Sequence, residues 1–503
     1  MVKKNEPAEI GIAADFLMRG KYVTFGDEVY KWDSKHYRRF SDKKVRTSML
    51  SPDVTVSDVE AGLKRVKWLT HIENTEAPPF WLDVEDCVED PIPDWYRNQT
   101  PIPFENGVLL LEKWLEGSGD AFISNTPALF ATTTVPYSYD ASAKCPKWME
   151  FMNWFASGDK EGLDLIQQWF GSVFVPQQNH EKFLWLQGAG ENGKSVLTKT
   201  VDFVIGSDQV GHLDVSDLPK DFRLQGLIGK RINISQEFSR LTDQIENSIK
   251  KMTSNETEAI NRKFKEVLNL KLNCKLLLVS NKVPYIRDDS DGFYRRMLIF
   301  RCKAKVVEKR LNLEDDLIKE APGIFNWILE GAKKYMAVGN IVVPETIQND
   351  INEIRYDFDM VGRFVREMLV YTGDPKDRII TANAPRVNGV HQEVSAYGEF
   401  DQWCEANGHQ NPPSSSMFVR RVQELTGCEK KRIRENGMQI SRFLGLAWAE
   451  DLTDELNSGR RKLEDLPDSK FKEEFRKAGP QPQSEADDLV DDMTIPEPEE
   501  VTK

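Results

Sequence analysis

The sequence of 503 residues lacks the marks of membrane, secreted and zinc-binding proteins. No apolar run approaches the roughly 20 residues that a membrane-spanning helix needs, and no apolar segment follows the lysines near the N-terminus. No two of the six cysteines stand in C-x-x-C spacing, and none lies near a pair of histidines, so we expect free thiols and no zinc site. These absences favour a protein of the cytoplasm of the cell that makes it.

The sequence also has no excess of basic residues, and its formal net charge is −14. This balance argues against an overall basic surface, but a local basic stripe is sufficient to bind nucleic acid. The length exceeds what a single hydrophobic core supports, and we expect roughly two to four domains.

Short apolar segments alternate with helical patterns between about residues 180 and 303, which predicts a largely parallel sheet flanked by helices. The predicted strands are FLWLQ, RINIS, KLLLVS and RMLIF. Just upstream, aromatic residues recur at helical spacing, and we expect them to pack in a buried helical core. The first four of them are Trp148, Phe151, Trp154 and Phe155.

The first predicted strand leads directly into a glycine-rich loop of the form G-x-x-x-x-G-K-[ST], followed by a segment suited to a helix. The loop residues are Gly188, Ala189, Gly190, Glu191, Asn192, Gly193, Lys194 and Ser195. Glycines let backbone N–H groups face phosphates, Lys194 reaches the β- and γ-phosphates, and the Ser195 hydroxyl ligates Mg²⁺. The pattern therefore predicts a site for ATP and Mg²⁺.

Polar residues follow two further predicted strands, where ligands of open α/β sheets bind. Glu237 follows RINISQ, and either this one carboxylate serves both the metal and the attacking water or a second acid assists it. Asn281 follows KLLLVS, where its side chain would hydrogen-bond the γ-phosphate or the lytic water. We therefore expect Glu237 and Asn281 to join Lys194 and Ser195 in the catalytic site.

Two arginines, Arg295 and Arg296, precede the last predicted strand. Arginine stabilises the charge that spreads over a transferring phosphoryl group, often from a neighbouring subunit. Because adjacent side chains on an extended segment point opposite ways, we expect only one of the pair to act as this arginine finger.

These motifs together resemble the superfamily 3 helicases, in particular the primase–helicases of satellite phages and poxviruses. The resemblance is carried by GAGENGKS, RINISQEFS and LLLVSNKVPYIRDDSDGFYRRMLIF, continues in PFENGVLLLEKW upstream and SAYGEFDQWCEANG downstream, and covers roughly residues 20 to 445. It implies a hexameric ring from a phage or mobile element that hydrolyses ATP at subunit interfaces and moves along single-stranded or forked DNA. In this family's pattern Arg296 matches the arginine of the GF-x-RR segment, and Asn281 matches the polar sensor.

The resemblance also implies an architecture, an α/β fold with a P-loop, AAA+-like, parallel-sheet ATPase core. The core would follow an α+β N-terminal lobe and precede a small, mostly helical, winged-helix-like domain. We expect boundaries at residues 1–147, 148–338 and 339–450, with a charged, largely disordered tail over 451–503.

Two features depart from the family pattern. Asn255 and Glu256 stand where the family has a Gly-Asp pair, and the chain before residue 90 is too short for a primase domain. We therefore expect a helicase without primase activity, whose partners would include a separately encoded primase or other replisome proteins.

Basic residues between the second and third core strands are the candidate DNA contact. Arg262, Lys263 and Lys265 surround Phe264, in a segment that the family folds as a hairpin projecting into the ring channel. Backbone contacts with one stacking aromatic suit sequence-independent binding of a single strand. A second basic stretch, Arg420, Arg421 and residues 430–434, would suit either duplex DNA or a solvated face.

Three other functions stay open from the residues alone. An AAA+-like replication initiator would share the ATPase site but would melt an origin without processive unwinding. A packaging ATPase normally adds a nuclease domain with clustered aspartates, which residues 340 to 450 do not show. A DNA-binding scaffold with an inactive loop is disfavoured because Lys194 and Ser195 are intact.

Overall fold

The structure is a computed structural model whose described residues fall in two compact units, Met1–Glu353 and Ile354–Lys503. It describes residues 8–83, 93–175, 181–236, 238, 240–263, 265–284, 286, 291–306, 310, 312–382, 386–387, 390–391, 394–407, 412–435, 437–468 and 472. Of the tail predicted to be largely disordered, 451–503, the structure describes residues 451–468 and 472, and the Pro- and acid-rich end from Gly479 lies outside the described residues. In the part of the chain that is described, no helix has both the length and the apolarity to cross a membrane.

The first unit begins with a mixed lobe of helices and short antiparallel strands. Its elements are α1 (Ala8–Leu17), β1 (Tyr22–Phe25), β2 (Glu28–Trp32), β3 (Tyr37–Arg39), α2 (Asp42–Met49), α3 (Val56–Leu69), β4 (Phe80–Trp81), β5 (Pro101–Phe104), β6 (Gly107–Leu110), α4 (Leu111–Leu115), β7 (Phe122–Ile123) and β8 (Leu129–Phe130). Thr55 and Asp58 start α3 with a capping box. The buried Phe16, Val29 and Leu63 belong to one core that joins α1, β2 and α3.

The second part of this unit is an α/β core. Its elements are α5 (Pro146–Phe155), α6 (Lys160–Ser172), β9 (Phe183–Gln187), α7 (Lys194–Ile205), β10 (Val210–Gly211), β11 (Ile232–Gln236), α8 (Asp243–Thr253), β12 (Glu258–Ile260), β13 (Leu268–Leu270), β14 (Lys275–Ser280), α9 (Asp291–Tyr294), β15 (Met297–Arg301), α10 (Leu313–Ile318) and α11 (Ala321–Val338). Five strands pair in the order β10-β11-β14-β9-β15, and every pairing is parallel. The prediction of a parallel sheet from four apolar segments is confirmed.

Strand β9 lies inside this sheet, between β14 and β15. Leu184 pairs with Leu277 on one side and Leu298 on the other, so the strand is buried on both faces as parallel strands usually are. Because all five strands run the same way, the residues that follow β9, β11 and β14 meet at one edge. That edge carries the glycine-rich loop.

The aromatic stripe of α5 is only partly core. Trp148, Phe151 and Phe155 are buried as expected, but the ring of Trp154 remains 36% exposed. Trp148 packs edge-on against Trp327 of α11, while Phe155 stacks on Phe300 of β15. Helix α5 is therefore fixed against the sheet by one face and presents Trp154 on another.

The second unit contains helices around a short antiparallel sheet. After α12 (Glu345–Phe358), which crosses the boundary between the units, come α13 (Met360–Met368), β16 (Leu369–Tyr371), β17 (Arg378–Ile380), β18 (Arg386–Val387), β19 (Val390–His391), α14 (Ala396–Ala406), α15 (Ser415–Thr426), β20 (Glu429–Glu435), β21 (Met438–Leu444), β22 (Leu446–Trp448) and α16 (Ala449–Asn457). Phe364, Phe400 and Phe418 form its core. The basic stretch 430–434 lies on β20, at the edge of the sheet β17-β21-β20. The sequence-based domain boundaries stay a prediction.

Candidate nucleotide-binding site

The glycine-rich loop connects the end of β9 to the start of α7. Its backbone takes left-handed conformations at Gly190, Glu191 and Gly193, with φ of 95°, 49° and 76°. The loop is held to the sheet because Gly188 N–H donates to the Ser280 carbonyl at 3.2 Å. At Gly188 a Cβ atom would lie 2.3 Å from the Asn192 amide nitrogen, so only glycine fits there without displacing Asn192.

Lys194 begins α7 and turns its ammonium back into the loop. Its Nζ donates to the Gly188 carbonyl and to Asn192 Oδ1, both at 2.7 Å, and lies 3.4 Å from Asn281 Oδ1. The residue is only 6% exposed, and burial lowers the pKa of its ammonium. All three partners are neutral oxygens, so an anionic ligand would be a stronger partner for this charge.

Asn192 holds the loop together from the inside. It is 4% exposed, accepts from Lys194, and donates its side-chain N–H to the Cys302 carbonyl at 3.0 Å. The chain after β15 is joined to the loop again where Val306 N–H donates to the Glu191 carbonyl at 2.9 Å.

A cavity of about 1080 Å³ opens in front of the loop. Its walls come from the loop itself, from one face of α5, from the ends of β11 and β14, and from the segment that includes α10. The side chains that complete it are Lys147, Glu150, Phe151, Trp154, Val196, Gln236, Val279, Ser280, Asn281, Lys305, Val306, Arg310, Asn312, Leu313, Glu314 and Asp316. Within the cavity, Gln236 Nε2 is 3.3 Å from Thr198 Oγ1 of α7.

The structure brings several sequence-predicted site residues together here. Lys194, Ser195 and Asn281 all line the cavity, and the exposed Ser195 hydroxyl is available to a cation. A hydroxyl oxygen such as that of Ser195 is a kind of ligand that suits Mg²⁺, which favours oxygen ligands. Glu237 lies outside the described residues, although its neighbour Gln236 lines the cavity.

The two predicted arginines, Arg295 and Arg296, are not among the residues that line the cavity. The expectation that their side chains point in opposite directions along an extended backbone was wrong. Arg295 and Arg296 occupy a turn between α9 and β15, so their side chains converge on Glu181 Oε2 at 2.6 and 2.8 Å. Arg296 is 8% exposed and also donates to the Gly292 carbonyl, whereas the Arg295 side chain is 60% exposed.

The predicted DNA-contacting residues follow β12, in the hairpin that β12 and β13 form. Arg262 donates to the carbonyls of Gly26 and Glu266, and Lys265 forms an ion pair with Glu28. Two of the three predicted contacts are thus engaged with the N-terminal lobe in this chain. Lys263 also takes part in an interaction, and Phe264 lies outside the described residues.

The residues of the second basic stretch differ in how far they are exposed. Arg421 is paired with Asp359 at 3.1 Å and its side chain is only 15% exposed, so it is part of the packing. Lys430, Lys431 and Arg432 are exposed on β20.

Sequence reasoning missed the face of α5 that borders the cavity. Lys147, Glu150, Phe151 and Trp154 stand three and four residues apart and so share one side of the helix. The signal was present in the sequence, because polar residues interrupt the aromatic stripe at Lys147 and Glu150, on the same face as Trp154.

Proteins similar to the chain include two viral helicases. A putative helicase of Acanthamoeba polyphaga mimivirus is 23% identical over 366 residues, and a DNA replication helicase of Autographa californica nuclear polyhedrosis virus is 21% identical over 247 residues. These alignments cover 65% and 48% of this chain but only 35% and 18% of the relatives, so the chain spans about a third of their length or less. The apo structure of the NrS-1 C-terminal region covers 88% of this chain and 100% of its own, with a TM-score of 0.51 at 12% identity, which shows a likeness of fold.

A strand, a glycine-rich loop and a helix at the carboxyl edge of a five-stranded parallel sheet define an α/β protein with a P-loop-like core. Two family models match the chain, "D5 N terminal like" over residues 14–157 and a family of unknown function, DUF5906, over residues 186–296. Together with the viral relatives, these two matches support a phage and viral primase–helicase family for the chain. The family resemblance inferred from the motifs is confirmed.

Proposed function

We propose that the protein is an ATP-driven replicative DNA helicase of superfamily 3, working as a ring, with six subunits in the simplest case, on single-stranded DNA. The observation that carries the proposal is the meeting of Lys194, Ser195 and Asn281 in one cavity at the carboxyl edge of the sheet. The viral relatives named as helicases support the same activity.

In this mechanism the loop amides and the Lys194 ammonium bind the triphosphate. Lys194 exchanges the neutral oxygens of Gly188 and Asn192 for phosphate oxygens, which are better partners for a buried charge. Asn281, already within reach of Lys194, orients the γ-phosphate or the attacking water. Arg296 acts on the nucleotide of a neighbouring subunit, since it does not line the cavity of its own chain.

Mg²⁺ would be held by Ser195 and, as we propose from the sequence, by Glu237. When bound, the ion neutralises charge on the phosphate oxygens and orients them for attack. Glu237 would also accept a proton from the attacking water.

Single-stranded DNA would contact the hairpin of β12 and β13 through Arg262, Lys263 and Lys265. Such contacts to phosphates are independent of sequence and weaken with salt. Because Lys265 is paired with Glu28 in this chain, binding DNA would require it to change partner.

The test is ATP hydrolysis and strand displacement by the wild type, by Lys194→Ala and by Lys194→Arg. We expect single-stranded DNA to stimulate hydrolysis in the wild type. Both variants should lose nearly all activity, Lys194→Ala because the charge is gone and Lys194→Arg because a guanidinium does not fit the site of a compact ammonium. Hydrolysis that survives in Lys194→Ala would remove Lys194 from the mechanism. Hydrolysis without displacement of a strand from a forked substrate would favour an initiator over a helicase.

A further inference from the structure

The cavity is larger than a triphosphate needs, and the part beyond the loop is walled by aromatic side chains. Phe151 and Trp154 of α5 line it together, with ring centroids 5.9 Å apart and planes inclined by 37°. Phe151 is buried, but Trp154 keeps 36% of its surface exposed. A large flat ring left open inside a cavity gains free energy when an apolar face covers it.

The indole of Trp154 is also brought close to the loop. A Cβ atom at Gly193 would lie 2.8 Å from a ring carbon of Trp154 and 3.2 Å from Phe151. Any other residue at 193 would therefore push the ring away, apart from the strain of its φ of 76°. A nucleotide whose phosphates lie on the amides near Gly193 carries its base within reach of this ring.

The rest of the wall keeps the aromatic face open to the cavity. Among the other lining residues, Glu150 pairs with Arg310 at 3.2 Å and Lys147 with Asp316 at 2.8 Å, so their charges are directed at each other. Leu313 of α10 provides an apolar surface in the same cavity. A planar base thus meets an indole, while these two ion pairs stay in contact with water.

We propose that Trp154 is the platform on which the base of the bound nucleoside triphosphate stacks, with Phe151 behind it. This rests on the proposed function, because it assigns the base end of the same site. Stacking is tolerant of base identity, since every base has a π face. The site therefore favours purine nucleotides for their larger ring area and discriminates only weakly between adenine and guanine.

The test compares ATP with inorganic tripolyphosphate, which has the phosphates but no base. Calorimetric titrations with Mg²⁺ are made on the wild type, Trp154→Ala, Trp154→Phe and Trp68→Ala, the last removing a tryptophan that is 70% exposed on α3. We expect Trp154→Ala to bind ATP roughly tenfold more weakly, with tripolyphosphate changed less than about twofold. Trp154→Phe should recover most of the ATP affinity, and Trp68→Ala should match the wild type.

Tryptophan fluorescence provides a second measurement, which needs only the conservative variant. ATP should quench the emission of the wild type more than that of Trp154→Phe, while tripolyphosphate should leave the two alike. Parallel loss of ATP and tripolyphosphate binding in Trp154→Ala would make Trp154 a support of the loop and overturn the proposal. Unchanged affinity for both would overturn it as well. A wild type that binds neither ligand would instead refute the nucleotide site itself.

Discussion

The Lys194 ammonium and the Asn192 side chain are joined by a hydrogen bond of 2.7 Å in the loop proposed to bind phosphates. Asn192 completes the link by donating to the Cys302 carbonyl on the far side. One amide thus sets the direction of the lysine and connects the loop to the chain that follows β15. An amide does this without adding negative charge to the site that we propose for an anion.

This hydrogen-bonded link predicts that two Asn192 variants bind ATP more weakly, each for a different reason. Asn192→Ala removes the side chain that orients the Lys194 ammonium and leaves the Cys302 carbonyl without this donor. It should weaken ATP binding about fivefold. Asn192→Asp keeps the shape but repels the triphosphate, and should be weaker still, most clearly at low salt. Calorimetry with ATP at two salt concentrations measures both effects. Equal affinities for the two variants at low salt would contradict the charge argument.

Gly188 should tolerate no side chain. A Cβ there would lie 2.3 Å from Asn192 and 2.8 Å from the Cys302 carbonyl, so Gly188→Ala must displace the bond between them. We expect at least tenfold weaker ATP binding and a loss of about 1–3 kcal/mol in stability. Gly226→Ala is the matched control, since no atom lies within 4 Å of its Cβ position. The idea fails if both variants unfold at the same temperature and bind ATP alike.

Contiguous signals made the centre of the site predictable, whereas its periphery depended on tertiary packing. The loop from Gly188 to Ser195 is one uninterrupted motif, and β9 and β14 are apolar runs with no competing period. Trp154 was assigned to the core because helical spacing looks the same whether a face meets protein or a cavity. The shared partner of Arg295 and Arg296 could not be predicted from the sequence either, because Glu181 contacts them only through the pairing of β9 with β15.

Lys275 should give the first unit a distinctive pH dependence. It begins β14, and burial lowers the pKa of its ammonium from an ordinary 10.5 to about 8. The folded chain therefore loses this proton before the unfolded chain does, and stability should rise between pH 8 and 10.5. Lys275→Met should be more stable than the wild type at pH 7, on the order of 1–2 kcal/mol for a half-buried group.

The difference in free energy of unfolding between Lys275→Met and the wild type should shrink as the pH approaches 10.5. There the unfolded wild type, like the folded one, loses the Lys275 proton. Urea unfolding at pH 7 and at pH 10 measures it, with the exposed Lys333→Met as the control on α11. A difference that is the same at both pH values would show that the buried charge is not its source.

The ion pair between Lys265, in the hairpin of β12 and β13, and Glu28 predicts that DNA affinity rises when Glu28 is replaced. Glu28→Gln should release Lys265 from its ion pair and tighten binding to single-stranded DNA a few-fold, while Lys265→Ala should weaken it. Fluorescence anisotropy with a labelled oligonucleotide, measured over a salt series, reports both changes. For Lys265→Ala the slope of log affinity against log salt should fall by about 0.7, the value for one phosphate contact on a single strand. An unchanged slope would place Lys265 outside the DNA path.

Arg296 should act in trans, because it pairs with Glu181 at 2.8 Å and lies outside the cavity of its own chain. Arg296→Ala and Lys194→Ala should each hydrolyse almost no ATP. In an equal mixture about a quarter of the interfaces combine an intact lysine with an intact neighbouring arginine, so roughly that share of activity should return. A mixture of Lys194→Ala with Ser195→Ala is the control, since both defects lie in one site and no interface becomes whole. If the first mixture stays as inactive as the second although mixed rings form, Arg296 does not serve a neighbouring site.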